Sequence, residues 1–344
     1  MDVTGHIEQR ASIRDVARVA GVSYQTVSRV INGNPRVRES TRERVWAVIR
    51  ELGFRPSRAA RALAGGRLAA VTVVMSNTTL YGPSAVLLGI EEAARAAGFS
   101  VGIGVLDSAE PDAVRAMADR VSDPTAGAVI VIAFDLAGVR ALRAIPSGIA
   151  VVAAVEASDA TETHPYPAVW LDDRLAAARA TRYLLELGHE TVHYVAIPSS
   201  TGTSDRMRGW RQALAEAGAA VPDPVQGGWT PRSGAEAGRA LAADPAVTAV
   251  LCGNDDLALG VLYAMRAAGR VVPDEVSVVG FDDMPQAAFY APALTTVRLD
   301  FVGLGRDCFA LLRSVLDPLA PARAPAVGTP ELIVRESSGA PRRH

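Results

Sequence analysis

The run GVSYQTVSRVINGN, residues 21–34, carries a tyrosine, a glutamine, an arginine and several hydroxyls but few large apolar side chains. Wound at helical spacing, it puts Val27, Val30 and Ile31 on one face and Tyr24, Gln25, Ser28 and Arg29 on the other. Those types suit base reading. Glutamine pairs with adenine and arginine with guanine O6/N7 in the major groove, while the hydroxyls of Ser23, Thr26 and Ser28 suit phosphates. The same pattern also describes an ordinary surface helix, so charge has to weigh between them. Residues 1–67 hold 13 Arg against 6 Asp and Glu, and the other 277 hold 22 Arg against 31 acids. The net charge of −2 therefore conceals a head of +7 on a body of −9. A basic terminal segment is the electrostatic footprint of nucleic-acid binding. All 35 basic residues are Arg, which suits bidentate contacts to phosphate and guanine and equally fits a genomic bias.

Other chemistries find less support. The five His, at 6, 164, 189, 193 and 344, show no metal spacing, and His189 with His193 reads as a strand-edge turn. Cys252 and Cys308 stand far apart without CxxC spacing, so reduced structural thiols are expected, with no disulfide, no metal and no cofactor. No P-loop, GxGxxG, HExxH or GxSxG stands at a strand-to-helix junction, and an enzyme is not expected. The opening MDVTGHIEQR has no apolar signal core and no apolar run reaches spanning length, so the expectation is a cytoplasmic protein, associated with the nucleoid through DNA, with no membrane partner.

The elements that must position these groups follow from periodicity. Ser12 is a candidate N-cap with Asp15 three residues on, and Ile13, Val16, Ala17 and Ala20 line one face of a first helix that Gly21 stops. Ser23 can cap a second helix over 24–31, and a third runs from Glu39 to about Leu52. Three short helices with a tight turn between the first two make a helix-turn-helix head, a geometry also found in proteins that touch no DNA. The segment SRAARALAGG, 57–66, is long enough for one or two turns, a length marginal alone in water. From Ala69 onward apolar runs (AAVTVVM, FSVGIGV, GAVIVIA, IAVVAAV) alternate with helical stretches such as 83–97 and 111–121. A second series follows, with helices at 173–187, 204–217, 233–243 and 256–267 between TVHYVAI, VTAVLCG and VSVVGF. Two α/β lobes built from βαβ units are expected, with a cleft between the carboxyl ends of their strands.

SIRDVARVAGVSYQTVSRVINGNPRVRESTRERVWAVIRELGFRPSRAARALAGG resembles the DNA-binding head and hinge of the lactose-repressor (LacI/GalR) family, and YQTVSRV is most similar to the recognition helix of the family's type member. LGH (187–189), DRMRGW (205–210), GNDDLALG (253–260), VSVVGFDD (276–283) and LTTVRLDF (294–301) fall in the family's order and spacing, so the resemblance covers essentially the whole chain. It implies an all-α helix-turn-helix head over 11–56, a hinge helix over 57–67 and a core over 68–340 of two doubly wound parallel-sheet lobes like a periplasmic binding protein. The implied N-lobe is about 68–168 with 299–328, and the C-lobe about 169–298 with 329–340. Ser23, Tyr24, Gln25, Thr26, Ser28, Arg29, Asn32, Arg58 and Leu63 are the implied DNA contacts, with Leu63 wedged into the minor groove of a kinked operator.

The resemblance further implies a homodimer on a pseudo-palindromic duplex and a small effector in the cleft. Ser76, Leu80, Asp172, Arg206, Trp229, Asn254, Asp282 and Phe301 match effector-contacting positions, a set suited to a saccharide and, through NTTLYGPS (77–84), to a galactoside. Plainer roles stand beside these: Asp172, Asp173 and Asp255 as helix caps, Trp229 and Leu63 as packing. A sugar-released repressor of sugar-utilisation genes is the leading expectation. Control by a purine corepressor or a phosphorylated carrier protein, and a sugar-binding receptor, are the alternatives. No leucine-heptad tail follows VRESSGAPRRH, so a dimer rather than a tetramer is expected.

Overall fold

The computed structural model describes residues 11–31, 34, 36–54, 69–123, 126–156, 166–199, 202–317 and 329–342. Asn32, Arg58, Leu63 and the expected hinge lie outside the described residues. The chain divides into two units, Met1–Ala69 and Ala70–His344.

In the head, α1 spans Ile13–Ala20, α2 Tyr24–Ile31 and α3 Glu39–Glu51. The capping box at α1 is complete: the Asp15 amide donates to Ser12 Oγ at 3.3 Å, and the Ser12 amide donates back to the Asp15 carboxylate at 2.9 Å. Gly21 ends α1 at φ +64°, a left-handed conformation costly for other residues. Ser23 Oγ accepts the Thr26 amide at 3.1 Å and opens α2. The three helices bury Val16, Ala17, Ala20, Val27, Val30, Val45, Val48 and Ile49 against one another. At about 1.5–3 kcal/mol for each larger side chain, so small a core holds the head by few contacts.

The second unit has two sheets. The first runs in the order β2-β1-β3-β4-β5, all parallel, with β1 Ala70–Met75, β2 Ser100–Val105, β3 Ala128–Ala133, β4 Val151–Val155 and β5 Ala168–Val169. Every residue of β3 and β4 is buried, as continuous apolar runs require when helices cover both faces. Around it lie α4 (Tyr81–Ala96), α5 (Pro111–Val121) and α6 (Leu136–Ala144). The second sheet runs β11-β10-β9-β8-β6-β7, with β6 His193–Ala196, β7 Val225–Gln226, β8 Ala249–Cys252, β9 Ser277–Asp282 and β10 Thr295–Arg298 parallel and β11 Glu331–Ile333 antiparallel to β10. Its helices are α7 (Asp173–Glu186), α8 (Asp205–Glu216), α9 (Pro231–Ala243) and α10 (Asp255–Ala267).

The chain does not complete one lobe before starting the other. It leaves the first sheet after β5, returns after β10 as α11 (Phe301–Leu316), which packs along α4, and rejoins the second sheet at β11. The α4–α11 crossing depends on two glycines. A Cβ on Gly89 would stand 2.0 Å from the Val302 carbonyl oxygen, and one on Gly305 2.1 Å from that of Val86. A single apolar cluster then runs from β1 and β3 through α11 to Trp210, Leu251 and Phe281 of the second lobe.

Candidate functional site: an interlobe cleft and an exposed helix

Where the strands of both sheets end, their next residues turn into one cavity. Ser76 follows β1, Asp135 follows β3 and caps α6, and Glu156 follows β4; from the other lobe come Ile197 after β6, Asn254 after β8 and Asp282 at the end of β9. That is where open α/β sheets hold ligands, because the strand ends alternate with helix N-termini there.

The centre is Arg206, in the first turn of α8 and only 6% exposed. Its Nε donates to Asp173 Oδ2 at 3.0 Å, its Nη1 to the Gly253 carbonyl, and Nη1 stands 3.2 Å from Asp282 Oδ1. The guanidinium lies over the Phe281 ring, 4.1 Å from its centroid. Burial alone would lower the Arg206 pKa, but Asp173 and Asp282 carry it upward. Asp282 is held at φ 111°, a strained conformation for a non-glycine residue at the end of β9. Asp282 Oδ1 is shielded from solvent and held at ion-pair distance from Arg206. Burial raises that carboxyl to about 7 despite the arginine.

Asn254 caps α10, its Oδ1 accepting the Leu257 amide at 2.8 Å, while its Nδ2 donates to the Trp229 carbonyl at 3.3 Å. The second bond fixes the loop that brings Trp229 to the cavity wall. Opposite stand the aromatics of the first lobe. Phe301 meets Tyr81 edge-on, centroids 6.1 Å apart, and Phe134 at 6.5 Å. Burial, then Asp282 and Asp283 across the cleft, raise the Tyr81 phenol, so the two lobes share one electrostatic site. Glu156 is the most perturbed acid with a defined value: burial and then Asp173 push it up to about 8, against the pull of Arg206.

Of the expected effector contacts, Ser76, Leu80, Arg206, Trp229, Asn254, Asp282 and Phe301 line this cavity. Ser76 donates to Asp135, and Leu80 precedes α4. Asp172 does not line it. Its carboxylate accepts the Leu175 amide at 2.8 Å and caps α7, while its neighbour Asp173 turns inward to Arg206. Asp255 is likewise structural, accepting the Met284 amide at 2.8 Å and the Thr296 hydroxyl at 2.5 Å. The sequence reading missed Tyr81, Phe134, Asp135, Glu156, Asp173 and Asp256 as cavity residues. Asp135 and Glu156 carried a usable signal, since each is the first acid after an apolar strand run. Among the described residues no three metal-ligating side chains gather, and Cys252 and Cys308 are buried.

The head presents a different kind of site. On α2, Tyr24 is 57% exposed, and Gln25, Arg29 and Ser23 are exposed, while Thr26 and Ser28 are half-buried. The Ser23 and Thr26 hydroxyls lie 2.9 Å apart. No acidic residue stands in the first turn of α2, leaving its N-terminal amides free of a competing carboxylate.

A basic helix-turn-helix in one chain with a two-lobed α/β body defines a class, the DNA-binding regulator, and comparison with known proteins agrees. Residues 12–57 match the profile of bacterial regulatory proteins of the lacI family, and 181–338 match a periplasmic binding protein-like domain. The lactose operon repressor of Escherichia coli (strain K12) is 32% identical over 302 residues, covering 86% of this chain and 82% of that protein. The HTH-type transcriptional regulator DegA of Bacillus subtilis (strain 168) is 32% identical over 337 residues, 96% of this chain and 98% of that protein. Among solved structures, the lac repressor dimer bound to operator and the anti-inducer ONPF superposes with a TM-score of 0.85 at 28% identity over 96% of this chain and all of that one. A complex of the regulator CelR with cellobiose gives 0.70 at 28% identity, covering 96% and 100% of the two chains. The chain belongs to the lacI family: it is a DNA-binding transcriptional regulator, not an enzyme. Among its described residues no helix is long and apolar enough to cross a membrane.

Proposed function

We infer that this regulator is a repressor of sugar-utilisation genes, released from a pseudo-palindromic operator when a galactoside-like saccharide enters the interlobe cleft. The observation that carries this is the pairing, in one cavity, of a buried Arg206–Asp173–Asp282 cluster with Trp229, Tyr81 and Phe301. Forked charged groups bond vicinal hydroxyls, and aromatic faces cover the apolar side of a pyranose. Cellobiose, named with the CelR structure, points the same way.

Two copies of the chain set α2 on two half-sites one helical turn apart, where Tyr24, Gln25 and Arg29 read bases and Ser23, Thr26, Ser28, Asn32 and Arg58 hold the backbone. Residues 57–67 form the hinge, and Leu63 wedges the central step, so the hinge folds only on DNA. Saccharide favours a lobe arrangement in which the hinges part, and the two sites are thereby linked. A thermal-shift screen of saccharides and purine bases identifies the class, since a ligand of the native state raises Tm by mass action. Saccharides are expected to raise it; a response to purines alone overturns the reading. Leu63→Ala is expected to weaken gel-shift affinity for a lac-like palindrome, and unchanged affinity removes the wedge.

A further inference from the structure

After β11 the chain runs as a strap, residues 335–342, across the amino ends of β9 and β10, the side of the second lobe away from the cleft. Hydroxyls knit it there. Ser337, fully buried, accepts the Thr295 amide at 2.8 Å and donates to the Val278 carbonyl at 2.6 Å. Ser338 Oγ lies 2.8 Å from Thr295 Oγ1 and 2.9 Å from the Tyr183 hydroxyl. His189 pins the far end. Its ring, 4% exposed, stands where three segments meet: Nδ1 is 3.0 Å from the Thr248 hydroxyl just before β8, while Nε2 is 3.0 Å from the Ser277 hydroxyl of β9 and 3.1 Å from the Gly339 carbonyl. A carbonyl can only accept, so Nε2 carries the ring proton and Nδ1 accepts from Thr248. Ser277 completes the set, accepting the Gly339 amide and donating to the Gly339 carbonyl, both at 3.0 Å. A neutral imidazole therefore satisfies every partner.

We propose that His189 is an acid-released latch: its neutral ring holds the strap on the lobe, and uptake of a second proton lets the strap lift. That proton, on Nδ1, faces the Thr248 hydroxyl proton and buries a charge without a carboxylate to balance it. The charged and titratable groups on the adjoining segments all reach solvent: Tyr183 and Glu186 of α7, Glu190, His193 of β6, Asp244 before β8, Asp274 and Glu275 before β9, and Arg335, Glu336 and Arg342 of the strap. None of them shifts the ring. Burial lowers its pKa below the ordinary 6.5, opposed by the Gly339 bond. The latch is thus fully closed above 6.5 and weakens as pH falls. That sign is opposite to the one for carboxyls raised by burial, such as Glu156, so local exchange rather than global melting reads it.

The test is hydrogen exchange on the full chain, read by mass spectrometry as protection factors of peptides covering 335–342. Between about pH 7.5 and about pH 5.5 that protection is expected to fall about tenfold, because a histidine freed to titrate normally is only about one-tenth neutral at the lower pH. The central strands β3 and β4 are expected to keep theirs. His189→Gln, which retains a donor for Gly339 and does not titrate, is expected to remove the fall. Strap protection that stays level in the unmodified chain, or falls as far in the Gln variant, overturns the proposal. An NMR titration of the His189 ring decides the matter without a variant: a pKa below 6.5 is expected, and one at or above 6.5 overturns the latch.

Discussion

The two candidate recognition surfaces of this regulator are built on opposite principles. On α2 the expected base contacts Tyr24, Gln25 and Arg29 are exposed, and the helix is held from behind by Val27 and Val30. In the cleft the polar groups are buried and already bonded to one another, Arg206 to Asp173 and to Gly253, Asn254 to the Trp229 carbonyl. A surface reader can lose one contact and remain folded, whereas a buried cluster is part of the fold that carries it. Binding and stability are separable in the head and coupled in the body.

The largest effect expected from this contrast is at Arg206. Arg206→Ala leaves Asp173 and Asp282 buried without their cation, at a cost of about 3–5 kcal/mol. Calorimetry should show the transition of the body lowered by roughly 10 °C and the saccharide response lost. A body that melts unchanged would make the cleft as dispensable to folding as the surface of α2.

The next test is pH. Glu156 and Asp282 titrate at 4.5 and 3.8 when unperturbed, and at about 8 and about 7 in the folded chain. Between those values the native chain holds protons that the unfolded chain has released. Stability therefore falls as pH rises through that window and levels off above it. Glu156→Gln should flatten the upper part of a Tm–pH curve, and a parallel curve would show that the carboxyl titrates normally.

Smaller still is Val27→Ala in the head, about 2 kcal/mol from lost burial and the cavity left behind. It should lower helicity and operator affinity together while saccharide binding persists. The smallest expected change in stability is at Arg29. Arg29→Ala should leave Tm within about 0.5 kcal/mol equivalent, because the side chain is exposed, yet relax specificity at one base pair by about 1–3 kcal/mol.

The same contrast explains what could be read from the residues in order. The head was legible because its evidence is local: the Ser12–Asp15 box, the Gly21 stop and the face of α2 all lie within a turn or two. The lobes were legible as alternating apolar runs and helices. The α4–α11 packing was not, since Gly89 meets Val302 and Gly305 meets Val86 across more than two hundred residues and nothing near either signals the other. The cleft was legible only in part. Arg206, Asn254 and Asp282 came through family resemblance, but pattern alone could not decide which of Asp172 and Asp173 caps α7 and which turns inward. Glu156 and Asp135 were available to a simpler rule, the first acid after a buried parallel strand.

The central claim is that the exposed helix and the buried cleft are two ends of one linkage. It is tested most directly by titrating the full chain onto a lac-like palindromic duplex, with and without a saturating sugar that stabilises the body. The account predicts an operator Kd raised by about 5- to 150-fold with sugar present, the ordinary range of a coupling free energy. An operator Kd left unchanged by a sugar that demonstrably binds would contradict it.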